Sequence, residues 1–167
     1  MVARSLSKLP GGSRAFLDAN ILIYGLSGAS IECRHLLDRC SREEVAGICL
    51  FETLNEATHT LMLAEARTKG FIKSESAAQL RRRFGAVPRL NDYWPNIERL
   101  FALNMLLLPL DELILHSAHR ERLAAGLLTN DSMIVACMRR YGIPFLASSD
   151  RDFERVDGIT IYRPGDL

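Results

Sequence analysis

The sequence predicts an α/β fold, a three-layer α/β/α sandwich around a central, mainly parallel sheet. Short apolar runs rich in β-branched residues alternate with longer segments of helical periodicity. Each helical segment is long enough to serve as a right-handed crossover between parallel strands. The chain has 167 residues, of which 48% are hydrophobic, and it lacks repeats and low-complexity linkers. These values are typical of one domain with a sizeable core.

Five short apolar runs are predicted as strands. The first, residues 15–17, leads directly into Asp18, and the second, residues 45–50, has the sequence VAGICL. Pro109 ends the third run and Pro164 follows the fifth. The last three runs span residues 105–110, 143–147 and 159–163.

The helices are predicted from apolar periodicity and from the residues that begin and end them. Ser30 is the expected N-cap of the first, and Gly70, Gly126 and Gly142 each follow the end of a later one. A cap at Ser74 or Ser76 begins another helix. The predicted helices span residues 31–39, 51–69, 74–84, 92–104, 111–125 and 129–141. Residues 1–12, which end in Pro-Gly-Gly, are expected to be a loose extension that precedes a domain of residues 13–167.

Composition excludes several classes of protein. The net charge is only +1, so any nucleic-acid substrate requires a local basic patch. None of the four cysteines forms a Cys-x-x-Cys pair, which disfavours a zinc or thioredoxin-type site and indicates reduced, mostly buried thiols in a cytosolic protein. No apolar run approaches the length of a membrane span, and the N-terminus has no secretory signal pattern.

Acidic residues follow the predicted strands or begin the next helix. Carboxyl ends of parallel strands meet at one edge of the sheet, so we expect these acids to converge there. They would repel one another unless a cation were present, and hard divalent ions such as Mg²⁺ or Mn²⁺ prefer oxygen ligands. Such a centre suits phosphodiester hydrolysis. The candidate acids are Asp18, Glu52, Glu56, Asp131, Asp150 and Asp152.

Each acid also has an ordinary structural interpretation. Asp18 and Asp150 could form turns, and Asp131 could be a common first-turn or capping residue of a helix. Glu56 lies almost opposite the apolar stripe of its helix, beside Glu52, which is typical of a solvated pair. Periodicity therefore leaves the choice between the two glutamates open.

Other catalytic classes have little support. The four histidines form no ligand pattern, and Ser148 and Ser149 have no histidine base nearby in sequence. A haloacid-dehalogenase-type phosphotransferase needs a second Asp where this chain has Asn20. Both that class and response-regulator receivers need a late lysine, and the last lysine here is Lys73.

Four stretches together resemble the PIN-domain family, and within it the VapC-like toxin ribonucleases. FLDANILIY resembles the opening strand and first acid, at Asp18, and TLNEATHTL resembles the second motif, with its glutamate at Glu56 rather than Glu52. LLTNDSMIVACMRRYGI resembles the third motif, with Asp131. FLASSDRDFERVDGITIYRP resembles the fourth, with Asp150. The match covers nearly the whole chain from residue 14 and implies a PIN-like sandwich.

The resemblance implies a metal-dependent endoribonuclease that binds one or two Mg²⁺ or Mn²⁺ ions. Its ligands would be Asp18, Glu56, Asp131 and Asp150, with Asn20, Ser148 and Asp152 as auxiliary residues. It also implies a homodimer, an antitoxin partner and an RNA substrate. An RNA-processing nuclease and a non-cleaving PIN scaffold that binds RNA or protein are the alternatives.

A helical insert at about residues 74–104 distinguishes this chain from compact members of the family. It contains Arg81, Arg82 and Arg83, followed by Arg89 and by Tyr93-Trp94. Phosphate contacts and aromatic stacking could make it an RNA-gripping arm. The alternatives are a solvated helix face and ordinary packing of Trp94. A second, N-terminal basic group consists of Arg4, Lys8 and Arg14.

Overall fold

A computed structural model describes residues 3–167 of the chain, and its centre is one six-stranded sheet. The strands lie in the order β1-β6-β5-β2-β3-β4, and every neighbouring pair is parallel. The predicted α/β architecture with a mainly parallel sheet is confirmed. The strands are β1 (Arg4–Ser5), β2 (Arg14–Leu17), β3 (Ala46–Leu50), β4 (Leu106–Leu108), β5 (Phe145–Ala147) and β6 (Thr160–Arg163).

Helices connect the strands and cover both faces of the sheet. Successive residues of β2, Ala15, Phe16 and Leu17, point to opposite faces and are all fully buried, so the sheet is the middle layer. Within residues 3–167, no helix is long and apolar enough to cross a membrane. The α-helices are α1 (Ala19–Ser27), α2 (Ile31–Ser41), α3 (Phe51–Thr68), α4 (Ala77–Arg82), α5 (Tyr93–Phe101), α6 (Glu112–Ala125) and α7 (Thr129–Tyr141).

The polypeptide changes from strand to helix at Asp18. Its side chain accepts a hydrogen bond from the Ala19 backbone N–H, so Asp18 is the N-cap of α1. The apolar residues Ile21–Tyr24 therefore continue as a helix, not as a strand. Gly28 ends α1 with a φ of 76°, in the left-handed region that glycine adopts without strain.

The expectation of a loose N-terminal extension is wrong for the described part of residues 1–12. Arg4 and Ser5 form β1, which pairs with β6 and becomes an edge of the sheet. Leu6 and Leu9 are buried in the main core. The pairing of β1 with β6 and the burial of the two leucines hold this N-terminal segment against the domain. The sequence did not predict β1, because a two-residue strand is too short to show periodicity.

The insert contains less helix than its pattern predicts. The segment that begins at Ser76 is helical only over Ala77–Arg82, and a 3₁₀-helix at Phe84–Arg89 contains Gly85 and Pro88. The next helix ends at Phe101, not at residue 104. Pro88 lacks the backbone N–H that a continued α-helix would require, which favours the tighter 3₁₀ turns at Phe84–Arg89.

A second, smaller core joins the insert to α3. It consists of Leu63, Ala66, Ile72, Leu80 and Leu90. Beside it, Glu65 of α3 accepts hydrogen bonds from the backbone N–H groups of Asn91, Asp92 and Tyr93 at 2.8–2.9 Å, and Lys69 forms an ion pair with the same carboxylate. A buried glutamate thus supplies the acceptors that the first turn of α5 lacks.

Candidate active site

Asp18 lies at the carboxyl end of β2, in the middle of the sheet. Only 8% of its surface is exposed, and its own backbone N–H donates to the carbonyl of Ala147 at the end of β5. The neighbouring strands β2 and β5 therefore end side by side. This edge of a parallel sheet is where ligands bind in open α/β proteins.

The Asp18 carboxylate is held by side chains from both strand ends. The hydroxyl of Ser148 donates to Asp18 Oδ2 at 2.6 Å, and Asn20 Nδ2 donates to the same oxygen. Asn20 Oδ1 in turn accepts from the Ser149 backbone N–H at 3.0 Å. Two of the three predicted auxiliary residues, Asn20 and Ser148, thus lie in direct contact with Asp18 and fix its orientation.

The environment of Asp18 disfavours its charged form. Burial raises the pKa of its carboxyl group from 3.8 to about 6, against the lowering effect of the hydrogen bonds from Ser148 and Ala19. The negative charges of Asp131 and Glu56 raise that pKa further. A buried carboxylate beside like charges is costly unless a cation joins it.

Glu56 is the glutamate that belongs electrostatically to this group. It is exposed on the second turn of α3, and its Oε2 accepts a hydrogen bond of 3.0 Å from Asn130 Nδ2, next to Asp131 in the sequence. Its charge acts on both Asp18 and Asp131. Glu52, one turn earlier, instead influences Cys137 of α7 and has a buried Oε2 without a hydrogen-bond partner among the described residues.

Asp131 joins Asp18 to the loop after β5. It lies half-buried in the first turn of α7, where burial raises the pKa of its carboxyl group. The next largest effects on that pKa are the charges of Asp150, Glu56 and Asp152. The charge of Asp131 also acts on Asp18, so Asp131 links the four predicted acids electrostatically at this edge of the sheet.

The loop that carries Asp150 is closed by its own hydrogen bonds. The Asp150 N–H donates to Ser148 Oγ at 3.0 Å, and the Asp152 N–H donates to Asp150 Oδ1 at 2.8 Å. Arg163 of β6 donates to the Asp150 carbonyl at 3.1 Å and forms an ion pair with Glu154. The Asp152 carboxylate is itself paired with Arg155, and its links to the site are the hydrogen bond from its backbone N–H and the effect of its charge on Asp131.

The donor chemistry of this group fits a hard divalent cation. Four carboxylates and a serine hydroxyl offer oxygen ligands. The raised pKa of Asp18 comes first from burial and then from the charges of Asp131 and Glu56, and a bound cation would stabilise the ionised carboxylate against both. Within residues 3–167, however, no three acidic, histidine or cysteine side chains are already placed to hold one ion. The exposed Glu56 and the half-buried Asp131 and Asp150 would have to turn toward Asp18 to complete such a site.

Two residues in contact with this group were missed by sequence reasoning. Asn130 stands next to Asp131 in the third motif, so its place in the Thr-Asn-Asp triplet was an available signal. Arg163 comes from the last strand, thirteen residues after Asp150, and no pattern in the sequence connects them. The arginines Arg81–Arg83 lie elsewhere, at the end of α4, and not among the strand-end acids.

Fold and site together define a parallel α/β protein with a cluster of carboxylates at the carboxyl edge of its sheet. A sequence profile of the PIN domain matches residues 15–159, and the chain belongs to the PIN domain family. The resemblance recognised from the four motifs is thereby confirmed. A sequence search of curated proteins finds no match.

Solved structures share the fold at low sequence identity. A chain of VapBC2 from Rickettsia felis, bound to a DNA fragment from their promoter, superposes with a TM-score of 0.57 at 12% identity and covers 90% of this chain and 98% of that one. A chain of a toxin–antitoxin complex from Klebsiella pneumoniae gives a TM-score of 0.52 at 17% identity, with 87% of this chain and 95% of that one covered. The fold is therefore PIN-like and VapC-like over almost the whole chain.

Proposed function

We propose that this protein is a metal-dependent endoribonuclease that hydrolyses RNA phosphodiester bonds. Family membership supports a nuclease, and the observation that carries the proposal is the buried Asp18 carboxylate. Its pKa is raised by burial and by the acids that face it, without compensating charge. We assign Asp18, Glu56, Asp131 and Asp150 as the catalytic metal ligands. Carboxylates that face one another at one sheet edge destabilise the fold, so their presence there indicates a functional site.

Mg²⁺ or Mn²⁺ bound by these carboxylates would supply a Lewis acid and lower the pKa of a water molecule. The chain's own contribution is to place the oxygens. Ser148 and Asn20 orient the Asp18 carboxylate, and Asn130 holds Glu56 toward Asp131. Arg163 holds the backbone of the Asp150 loop. Asp152 closes that loop as an auxiliary residue.

We further infer that the protein is the toxin of a type II toxin–antitoxin pair. Its likeness to the Rickettsia VapBC2 and Klebsiella toxin–antitoxin structures supports a cognate antitoxin, and the resemblance to VapC-like proteins supports a homodimer. All four cysteines are free and buried, as suits a protein of the reducing cytoplasm. An RNA-processing PIN nuclease would use the same centre on another RNA.

Cleavage of a mixed RNA pool tests the reaction. The purified protein is expected to cut RNA with Mg²⁺ or Mn²⁺ and to lose activity in EDTA. Without a cation, the negative carboxylates would repel the negative charge that develops on the phosphate. An Asp131→Asn variant, purified in parallel and shown by circular dichroism to fold, should be inactive. Activity that survives EDTA or this substitution would contradict the assignment. Metal binding without any cleavage would favour the non-cleaving scaffold.

The two glutamates of α3 provide a matched comparison. Glu56→Gln is expected to lower kcat by at least about tenfold, because it removes a charge that faces Asp18 and Asp131. Glu52→Gln should change kcat less than about twofold, since Glu52 is not among the main charges that raise the pKa of Asp18 or of Asp131. Both are single-charge changes one helical turn apart. Rate measurements at saturating Mn²⁺ that show the opposite order would assign the second motif to Glu52.

A further inference from the structure

One short segment of this chain has a marked excess of basic over acidic residues. Residues 70–89 contain five basic residues and one acidic residue, a net of +4, whereas the whole chain has a net charge of +1. The rest of the molecule is therefore net negative. The segment runs from the end of α3 through α4 to the 3₁₀-helix at Phe84–Arg89.

This segment forms two adjoining clefts whose walls include Phe71, Arg82 and Arg83. One cleft, of about 330 Å³, also contains Phe84 and Arg89, and the other, of about 250 Å³, contains Lys73. None of the residues that line either cleft is acidic. We call these two clefts together the basic cleft.

Two arginines of the basic cleft, Arg82 and Arg83, have no side-chain partners within residues 3–167. The side chains of Arg82 and Arg83 make neither an ion pair nor a hydrogen bond with any described residue, and the same is true of the adjacent Arg81. By contrast, Arg67 and Lys69 on the neighbouring α3 are paired with acids. The unpaired guanidinium groups are thus available to an external anion.

Aromatic rings accompany these charges. Phe84 is 79% exposed, more than any other large apolar side chain of the described residues, and three arginines line the same cleft. The guanidinium of Arg89 lies 4.6 Å from the centre of the Phe71 ring. Aromatic and guanidinium planes beside phosphate-binding cations are the combination that binds unpaired bases.

We propose that the basic cleft binds a single-stranded segment of RNA, with Arg82 and Arg83 on phosphates and Phe84 stacked on a base. An acidic peptide would use the charges but would leave the exposed ring unexplained. Double-stranded RNA would present its phosphates while its bases stay stacked inside the helix.

The position of the basic cleft relative to the carboxylates suits a substrate that spans both. Glu56 lies near the start of α3, and the cleft begins just after the same helix ends at Thr68. Twelve residues of helix separate them, which is about 18 Å along the axis. The inference rests on the proposed ribonuclease function in one respect, that the bound RNA is also the substrate.

The test is fluorescence anisotropy of labelled RNA in EDTA, so that binding is measured without cleavage. The ligand is a single-stranded RNA of about 12 nucleotides, within the range that one such surface covers. The double variant Arg82→Gln/Arg83→Gln should bind at least about tenfold more weakly and reduce the slope of log Kd against log salt by about 1.4 for two lost phosphate contacts. The matched control is Arg99→Gln/Arg120→Gln, which removes the same charge from two exposed arginines outside the cleft. Among the described residues neither makes an ion pair, and each donates one side-chain hydrogen bond, Arg99 to Asn96 and Arg120 to Ser117.

A second pair of variants tests stacking without changing charge. Phe84→Leu keeps an apolar side chain but removes the ring, and it should weaken binding about fivefold or more, whereas Phe84→Tyr should retain wild-type affinity. These surface substitutions leave the buried core intact. Equal losses in the control double variant, no loss in either cleft variant, or equal binding of a duplex RNA would each overturn the proposal.

The RNA-binding test of the basic cleft can fail or succeed independently of the RNA-cleavage test of the proposed function. Loss of RNA affinity in the cleft variants of a protein that never cleaves RNA would sustain the basic cleft and reject the nuclease. Metal-dependent cleavage with affinity unchanged by the cleft variants would sustain the nuclease and reject the basic cleft.

Discussion

Asp18→Asn is expected to abolish RNA cleavage and, at the same time, to stabilise the folded protein. The substitution removes the negative charge at the centre of the carboxylate group, and we expect kcat to fall by at least about a hundredfold, since a metal-bound charge supplies several kcal/mol of transition-state stabilisation. Asparagine can still accept the hydrogen bond from the Ala19 N–H and cap α1. The fold should therefore survive.

The gain in stability follows from the raised pKa of Asp18. A shift from 3.8 to about 6 means that the ionised side chain costs at most about 3 kcal/mol of the free energy of unfolding at pH 7. Asn carries no charge, so the variant should recover about 1–3 kcal/mol. Urea denaturation in EDTA at pH 7 measures the difference.

The raised pKa of Asp18 also determines how the free energy of unfolding depends on pH. Between pH 4 and pH 6 the native carboxyl group binds more protons than the unfolded one, so wild-type stability should rise as the pH falls from about 7 toward about 4. Asp18→Asn should lack this component. Mn²⁺ should stabilise the wild type at pH 7 and leave the variant nearly unchanged, because only a ligand that binds the native state shifts unfolding. A variant that is less stable than the wild type in EDTA would contradict the electrostatic account.

Glu65→Ala is expected to lower the free energy of unfolding by about 3 kcal/mol, the largest loss that we predict for a single polar side chain. Glu65 is 8% exposed and accepts from three backbone N–H groups at the start of α5 while it is paired with Lys69. Alanine would leave these donors without an acceptor. Thermal and urea denaturation measure the loss, and limited proteolysis should cut between residues 70 and 92 more readily.

The matched control for Glu65 is Glu75→Ala. Glu75 is exposed and paired with Arg67, so its removal should cost less than about 1 kcal/mol. Comparable destabilisation by both variants would show that the segment responds to charge loss in general and not to the loss of the Glu65 acceptors.

The stabilising effect of Glu65 should disappear in acid. Burial by itself raises the pKa of this carboxyl group, but the hydrogen bonds from Lys69 and from the backbone N–H groups of residues 91–93 lower it below its ordinary value. The contribution is therefore fully present above the unfolded pKa of about 4.3 and is lost as the pH falls through the lower, native pKa. The difference between wild type and Glu65→Ala should accordingly shrink below about pH 4.

The regular elements that bury an apolar face could be predicted closely. The helix at Thr129–Tyr141 has the bounds that its pattern and Gly142 indicate, and Asp111 caps α6 where Asp precedes the apolar periodicity. β1 could not be predicted, because two residues give no period and its stability comes from pairing with β6 at the other end of the chain. The packing of the insert against α3 through its small core likewise joins residues that no local pattern connects.

The α/β order of elements, the four acids and their assignment to PIN-type motifs could be predicted from short stretches of chain, because secondary-structure propensity and residue type are local properties. How those acids are held depends on contacts that form only in the folded protein. Ser148 and Asp18 are 130 residues apart in sequence, as distant as any contact of the site, yet a 2.6 Å hydrogen bond joins them. Glu56 is distinguished from Glu52 by Asn130, which comes from α7. Such partners depend on which strands lie side by side, and strand order is set by the burial of the whole sheet and not by any local pattern.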